Sequence, residues 1–217
     1  MSKTVLAGRL VAAVAAGLTV LGENRVQEAE DKAPVVTGAT WHLVGPLQSN
    51  KARRAVELFR TIESVDSVDL ARRLDRLVAE GVASIPIAVG APAPGAGHAA
   101  SSDSAGPLDV YLQVNVDRDP AKAGFLPEGL DEALPELAAL PHLALCGLMT
   151  VGRLVAAPEE ARPTFARLRE LSGQLRARVP ALGAGLSMGM SDDYAIAVEE
   201  GATVIRIGRA LFGERPG

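Results

Sequence analysis

Residues 108–116 read Leu-Asp-Val-Tyr-Leu-Gln-Val-Asn-Val. The even positions, Leu108, Val110, Leu112, Val114 and Val116, are apolar, and the odd ones, Asp109, Tyr111, Gln113 and Asn115, are polar. Alternation with a period of two marks a β-strand whose faces meet different surroundings. A polar face along a whole strand fits a closed sheet, where one face points into an interior that can hold a ligand.

The pattern continues on both sides. Strands are predicted at 18–21, 40–44 and 61–65 before this segment, and at 143–149, 185–187 and 203–207 after it. Helices are predicted at 7–16, 24–32, 49–59, 68–80, 129–139, 158–178 and 192–200. Regular strand–helix alternation makes a parallel sheet covered by helices. Seven strands are visible, and the helix at 7–16 requires one more ahead of it. The expected fold is therefore a (β/α)8 barrel in one domain spanning 1–217, its first strand largely missing; a doubly wound open sheet is the alternative.

Composition narrows the classes. Of the 217 residues 48% are hydrophobic and 22% charged, enough for a core and too apolar for a disordered chain. A single cysteine, Cys146, excludes a disulfide scaffold and reads as a core residue of its strand. A net charge of −4 argues against nucleic acid or an anionic membrane as partner. The apolar stretch 10–21 is too short to span a bilayer and lacks a cleavage pattern, so a cytoplasmic protein is expected. Residues 90–106 (GAPAPGAGHAASSDSAG) break the alternation and read as a flexible surface loop with a solvated His98. His42, inside an apolar strand, reads as a hydrogen-bonded core histidine.

Barrel chemistry sits at the C-terminal ends of strands. Those ends carry Gly22-Glu23-Asn24, the run Gly45 to Lys51, Asn115, Met149-Thr150, Ser187 to Ser191, and Arg206 to Arg209. Ser187 to Ser191 passes through a glycine toward a helix, and Gly208-Arg209 opens a short helical turn at 210–212. Free backbone N–H groups gather at such places and bind phosphate; the same features also serve ordinary turns in which glycine supplies geometry. Lysine is scarce: only Lys3, Lys32, Lys51 and Lys122 stand among 22 basic residues. A lysine can lose its proton and react with an aldehyde, which arginine cannot.

Several segments together resemble a known family. They are Ser2-Lys3-Thr4, GENRVQE at 22–28, WHLVGPLQSNK at 41–51, LQVN at 112–115, GLMT at 147–150, LSMGMSD at 186–192 and Arg206-Ile207-Gly208. In this order they are similar to the pyridoxal-phosphate homeostasis proteins, which share the barrel of alanine racemase's N-terminal domain. The likeness runs from residue 2 to 213, and WHLVGPLQSNK and SMGMSDD are too specific for chance. It implies pyridoxal 5′-phosphate as cofactor, with Lys3 forming the Schiff base. It further implies Arg206 facing the pyridine nitrogen, Asn24 and Met149 beside the ring, and Ser187, Gly208 and the Arg209 backbone around the phosphate. Position 209 is often threonine in the family, so a hydroxyl contact is lost here. Members also carry a helix and a strand ahead of the lysine, ending in valine where this chain has Met1; a misassigned start is expected, with neighbouring strands left unpaired.

The implied role is a monomeric carrier that buffers the cofactor and delivers it to dependent apo-enzymes. The alternative is a racemase or decarboxylase on the same barrel. Racemisation needs a second base, a tyrosine supplied in alanine racemase by a further domain, and a guanidinium at the pyridine nitrogen weakens the ring as an electron sink. A barrel acting on a free sugar or nucleotide phosphate would share the phosphate site without needing Lys3.

Overall fold

The computed structural model describes residues 1–82, 106–153 and 155–213. Seven strands form one all-parallel sheet in sequence order: β1 (Val20–Glu23), β2 (Thr40–Leu43), β3 (Thr61–Val65), β4 (Leu108–Gln113), β5 (Leu143–Met149), β6 (Gly185–Met190) and β7 (Val204–Arg206). The helices are α1 (Ala7–Ala15), α2 (Val26–Lys32), α3 (Ala52–Leu58), α4 (Val68–Ala79), α5 (Pro127–Ala138), α6 (Arg162–Arg178), α7 (Tyr194–Glu199) and α8 (Arg209–Phe212). The predicted loop at 90–106, with His98, lies outside the described residues apart from Gly106.

The sheet curls into a nearly closed barrel. A hydrogen bond of 2.6 Å joins Ser187 on β6 to Glu63 on β3, three strands away, which only a curved sheet allows. Residues 1 and 2 lie in the seam between the end strands. The Met1 amine donates to the Ile207 carbonyl at 2.7 Å, and the Ser2 amide donates to the Gly22 carbonyl at 2.8 Å. The described residues hold seven strands, as expected with the first largely missing; what is corrected is the expectation of unpaired neighbours, since residues 1 and 2 bond to both flanks.

Alternation along each strand separates two environments. Leu21, Leu43, Ile62, Val110, Leu112 and Leu148 join the apolar layer beneath the helices. Their neighbours His42, Glu63, Tyr111, Met149 and Ser187 are equally buried but stand outside that cluster, on the barrel's inner face. Helix α4 shows why a covering element forms. The Ser67 hydroxyl accepts from the Leu70 amide, a cap whose loss costs about 1 kcal/mol, and Leu70, Ala71, Leu74, Leu77 and Val78 bury one stripe.

Most predicted segments coincide with observed ones, and three shift. The strand at 108–116 ends at Gln113: the Val114 amide still donates to the Met149 carbonyl at 2.8 Å, but Val114 bridges Phe125 instead of a further strand residue. The strand at 185–187 runs on to Met190, and the one at 18–21 moves to Val20–Glu23. Cys146 is only half-buried, facing Tyr111 and Asp109 rather than the apolar layer, and burial pushes its thiol up to about 12.

Candidate cofactor site

The inner face carries a chain of buried polar groups. His42 Nδ1 lies 2.7 Å from Glu63 Oε1, and the Ser187 hydroxyl donates to Glu63 Oε2 at 2.6 Å. Arg206 Nη1 donates to Ser187 Oγ and Nη2 to the Thr150 carbonyl, both at 2.7 Å. Every member is less than a tenth exposed. Burial alone would push the Glu63 carboxyl up; the His42 hydrogen bond and charge, the Arg206 charge and the Ser187 hydroxyl outweigh it and hold it below the usual glutamate value. Glu63 is then a carboxylate, which accepts only, so His42 Nδ1 carries the proton. Burial lowers the Arg206 guanidinium, with Glu63 and Asp193 opposing.

Above this network lies the mouth, built from loops that follow the strands. Gly45 crosses Asn24 so closely that a Cβ there would stand 2.2 Å from the Asn24 carbonyl oxygen. Glycine is therefore required, and the Ser64 hydroxyl, donating to the Gly45 carbonyl at 2.7 Å, fixes the crossing. At the other side Gly208 precedes α8. The Ser191 hydroxyl accepts from the Ala210 amide there, and the Arg209 guanidinium pairs with Asp192.

Lys3 is half-exposed in a tight turn of residues 2–5, closed by the Val5 amide on the Ser2 carbonyl at 2.9 Å. Its third residue, Thr4, has φ +63°, where such turns ordinarily carry Gly or Asn. A β-branched residue held in that region is strained, a state found most often at functional positions. The Lys3 amine has no hydrogen-bond or ion-pair partner among the described residues. Lys32 is tied to Glu23, and Lys122 to the Val151 and Gly152 carbonyls, while the Lys51 amine, after β2, is like that of Lys3 without such a partner among the described residues.

The sequence-expected residues thus fall into three sets. Arg206, Ser187 and Met149 share the inner face, all nearly or fully buried. Asn24 and Gly208 stand in loops at the strand ends, Arg209 opens α8, and Lys3 stands on the N-terminal turn. The Ser187 hydroxyl is fully buried and engaged on both sides, so the hydroxyl beside the Gly208 turn is that of Ser191. Glu63 was not singled out from sequence. An acidic residue in the middle of a strand was the available signal; its meeting with His42 was not, since the register pairs His42 with Thr61 and Glu63 reaches it from two residues further on.

A barrel with its polar groups at the carboxyl ends of the strands defines the class, and comparison agrees. The family model for the alanine racemase N-terminal domain matches residues 2–216. The alanine racemase of Clostridium difficile shares the fold alone: TM-score 0.73 and 13% identity, over 100% of this chain and 52% of that one. The pyridoxal phosphate homeostasis protein of Pseudomonas aeruginosa is 39% identical over 217 residues, 99% of this chain and 83% of the relative. PipY of Synechococcus elongatus, solved with pyridoxal phosphate bound, superposes with TM-score 0.81 at 40% identity, covering 98% of this chain and 90% of that one. This chain belongs to the pyridoxal phosphate homeostasis protein family.

Proposed function

We propose that the protein binds pyridoxal 5′-phosphate and serves its homeostasis, holding and releasing the cofactor without catalytic turnover. The observation that carries this reading is Lys3: an unpartnered amine on a strained turn at the mouth of the same barrel that holds Arg206. The donor set fits the group. Lys3 would hold the aldehyde, and the Gly208 and Arg209 backbone with the Ser191 hydroxyl would take the phosphate. Asn24 and Met149 would flank the ring, and Arg206 would face its nitrogen, oriented by Ser187.

When bound, pyridoxal phosphate supplies an electrophilic aldehyde and an electron-withdrawing ring. Arg206 stays a cation beside Glu63 and offers the ring nitrogen no proton, which leaves the ring a weak electron sink. Tyr111 is an unsuitable second base: burial pushes its phenol up, and its oxygen lies against Gly185 inside the barrel. A cytoplasmic, monomeric carrier serving pyridoxal-phosphate-dependent apo-enzymes completes the proposal. Among the described residues no helix is long and apolar enough to cross a membrane.

Borohydride reduction after loading, followed by peptide mapping, tests the assignment. The label is expected on Lys3 and absent in Lys3→Ala. Label on Lys51 or Lys122 instead overturns the site. Amino-acid racemisation or decarboxylation at about 1 per second or faster overturns the carrier role.

A further inference from the structure

The residues on either side of Lys3 are pinned by one group of charges under the helix layer. Glu23 Oε1 accepts from the Ser2 hydroxyl and from Lys32 Nζ, each at 2.7 Å. Lys32 Nζ also donates to the Ser2 carbonyl at 2.9 Å and lies 3.6 Å from Glu28. Glu28 Oε2 in turn accepts from the Thr4 amide at 3.3 Å. Ser2 and Glu23 are fully buried, while Lys3 between the two pinned residues is half-exposed with a free amine. Thr4 holds its left-handed φ inside this arrangement.

A strained backbone persists only where its surroundings over-determine it. The clamp supplies that constraint from Glu23 at the end of β1 and from Glu28 and Lys32 on α2, none of which belongs to the inner-face network. It is also built at a cost: Glu23 Oε2 is the one buried side-chain polar atom among the described residues without a hydrogen-bond partner. A surface turn that needed only to end a strand would not require a buried ion pair with an oxygen left over.

We propose that Glu23, Glu28 and Lys32 are positioning residues for Lys3, fixing the turn at 2–5 so that its amine meets a pyridoxal aldehyde without first ordering the chain. In that capture a C=N bond to the Lys3 nitrogen would replace the aldehyde C=O, whose oxygen leaves as water with the two amine hydrogens. This rests on the covalent role of Lys3 and adds the device that serves it. Holding a reacting group in place removes an ordering cost from the bond-forming step, so the clamp should act on covalent capture and leave non-covalent affinity alone.

The experiment uses the full chain as Glu23→Gln, Lys32→Met and Glu28→Gln variants, with two ligands. Pyridoxine 5′-phosphate, an alcohol in place of the aldehyde, reports non-covalent binding; pyridoxal 5′-phosphate with rapid borohydride quenching reports covalent capture. Amide hydrogen exchange of residues 2–5 without ligand reports the turn itself. In Glu23→Gln and Lys32→Met, capture is expected to slow tenfold or more and exchange of 2–5 to quicken at least tenfold. Pyridoxine 5′-phosphate affinity should stay within twofold in both, and Tm within a few degrees in Glu23→Gln; Lys32→Met, which leaves the buried Glu23 without its cation, should lose more Tm at the same affinity. Glu28→Gln, which keeps an oxygen for the Thr4 amide, should show a smaller loss of capture. Unchanged capture and exchange overturn the clamp, as does a parallel fall of capture, affinity and Tm. Absence of capture by the wild type overturns the covalent role of Lys3, and the exchange result then decides separately whether these residues hold the turn.

Discussion

Two buried glutamates, Glu63 and Glu23, sit within the same barrel and titrate in opposite directions. Glu63 on the inner face has both oxygens engaged, by His42 and Ser187, and the Arg206 charge lies close behind. Glu23 beneath the helices has one oxygen shared by Ser2 and Lys32 and the other unpartnered. Burial pushes both carboxyls up. At Glu63 hydrogen bonds and charge reverse the effect; at Glu23 the Lys32 and Ser2 bonds do not, and its carboxyl stays above the ordinary value. Burial alone therefore does not set the protonation of an acid; the number and charge of its partners do.

The largest expected effect comes from breaking the satisfied side. Glu63→Leu takes from the buried Arg206 cation the larger of its two counter-charges and leaves only Asp193, a change that typically costs about 3–5 kcal/mol. For a chain of this length that lowers Tm by roughly 6–20 °C. Thermal unfolding measures it, and a loss under about 1 kcal/mol would show that Arg206 does not depend on Glu63. Ser187→Ala removes the link between Glu63 Oε2 and Arg206 Nη1 and is expected to cost about 1–3 kcal/mol, since it strips a partner from each.

A smaller, pH-resolved effect sharpens the contrast. Because the folded Glu63 carboxyl lies below its ordinary 4.5, the unfolded state binds more protons between the two values, and stability rises with pH there. Glu63 therefore contributes stability above about 4.5 that is lost as pH falls through its folded pKa. Glu63→Gln cannot show that loss, so the stability gap between it and the wild type should narrow as acid is added. A gap that stays constant from pH 6 to pH 3 in urea titrations would contradict the inner-face arrangement.

The two sides also differed in how legible they were. The alternation in 108–116 and the βα rhythm revealed the barrel because periodicity is a property of the chain itself. Arg206 and Ser187 were readable as site residues through their motifs, yet not as partners, because they meet through β6–β7 pairing and reach Glu63 only across the barrel. The clamp was invisible for the same reason. GENRVQE could be quoted as a motif, but the return of Lys32 to the Ser2 carbonyl depends on how α2 packs beside the N-terminal turn. Strand ends shifted where bulges or bridges intervene, as at Val114, because sequence patterns carry no register.

The smallest expected effect lies at Glu23. At neutral pH Glu23→Gln removes a buried carboxylate with an unpartnered oxygen and also the charge opposite Lys32, whose ammonium is slightly exposed and can regain water. These changes oppose one another, so the net stability change is expected to stay within about 1 kcal/mol, well below the Glu63→Leu loss. Its pH dependence carries the information. With the folded carboxyl above 4.5, the native state binds more protons between 4.5 and the folded value, and wild-type stability falls as pH rises through that window. Below 4.5 the wild-type side chain is neutral in both states, and the two proteins should be close in stability. As pH rises Glu23→Gln should gain on the wild type, the reverse of the pH trend expected for Glu63→Gln. Paired urea titrations from pH 4 to pH 8 measure this directly. If Glu23→Gln instead loses ground with rising pH, Lys32 and Ser2 more than offset the burial of Glu23, and the contrast between the two glutamates disappears.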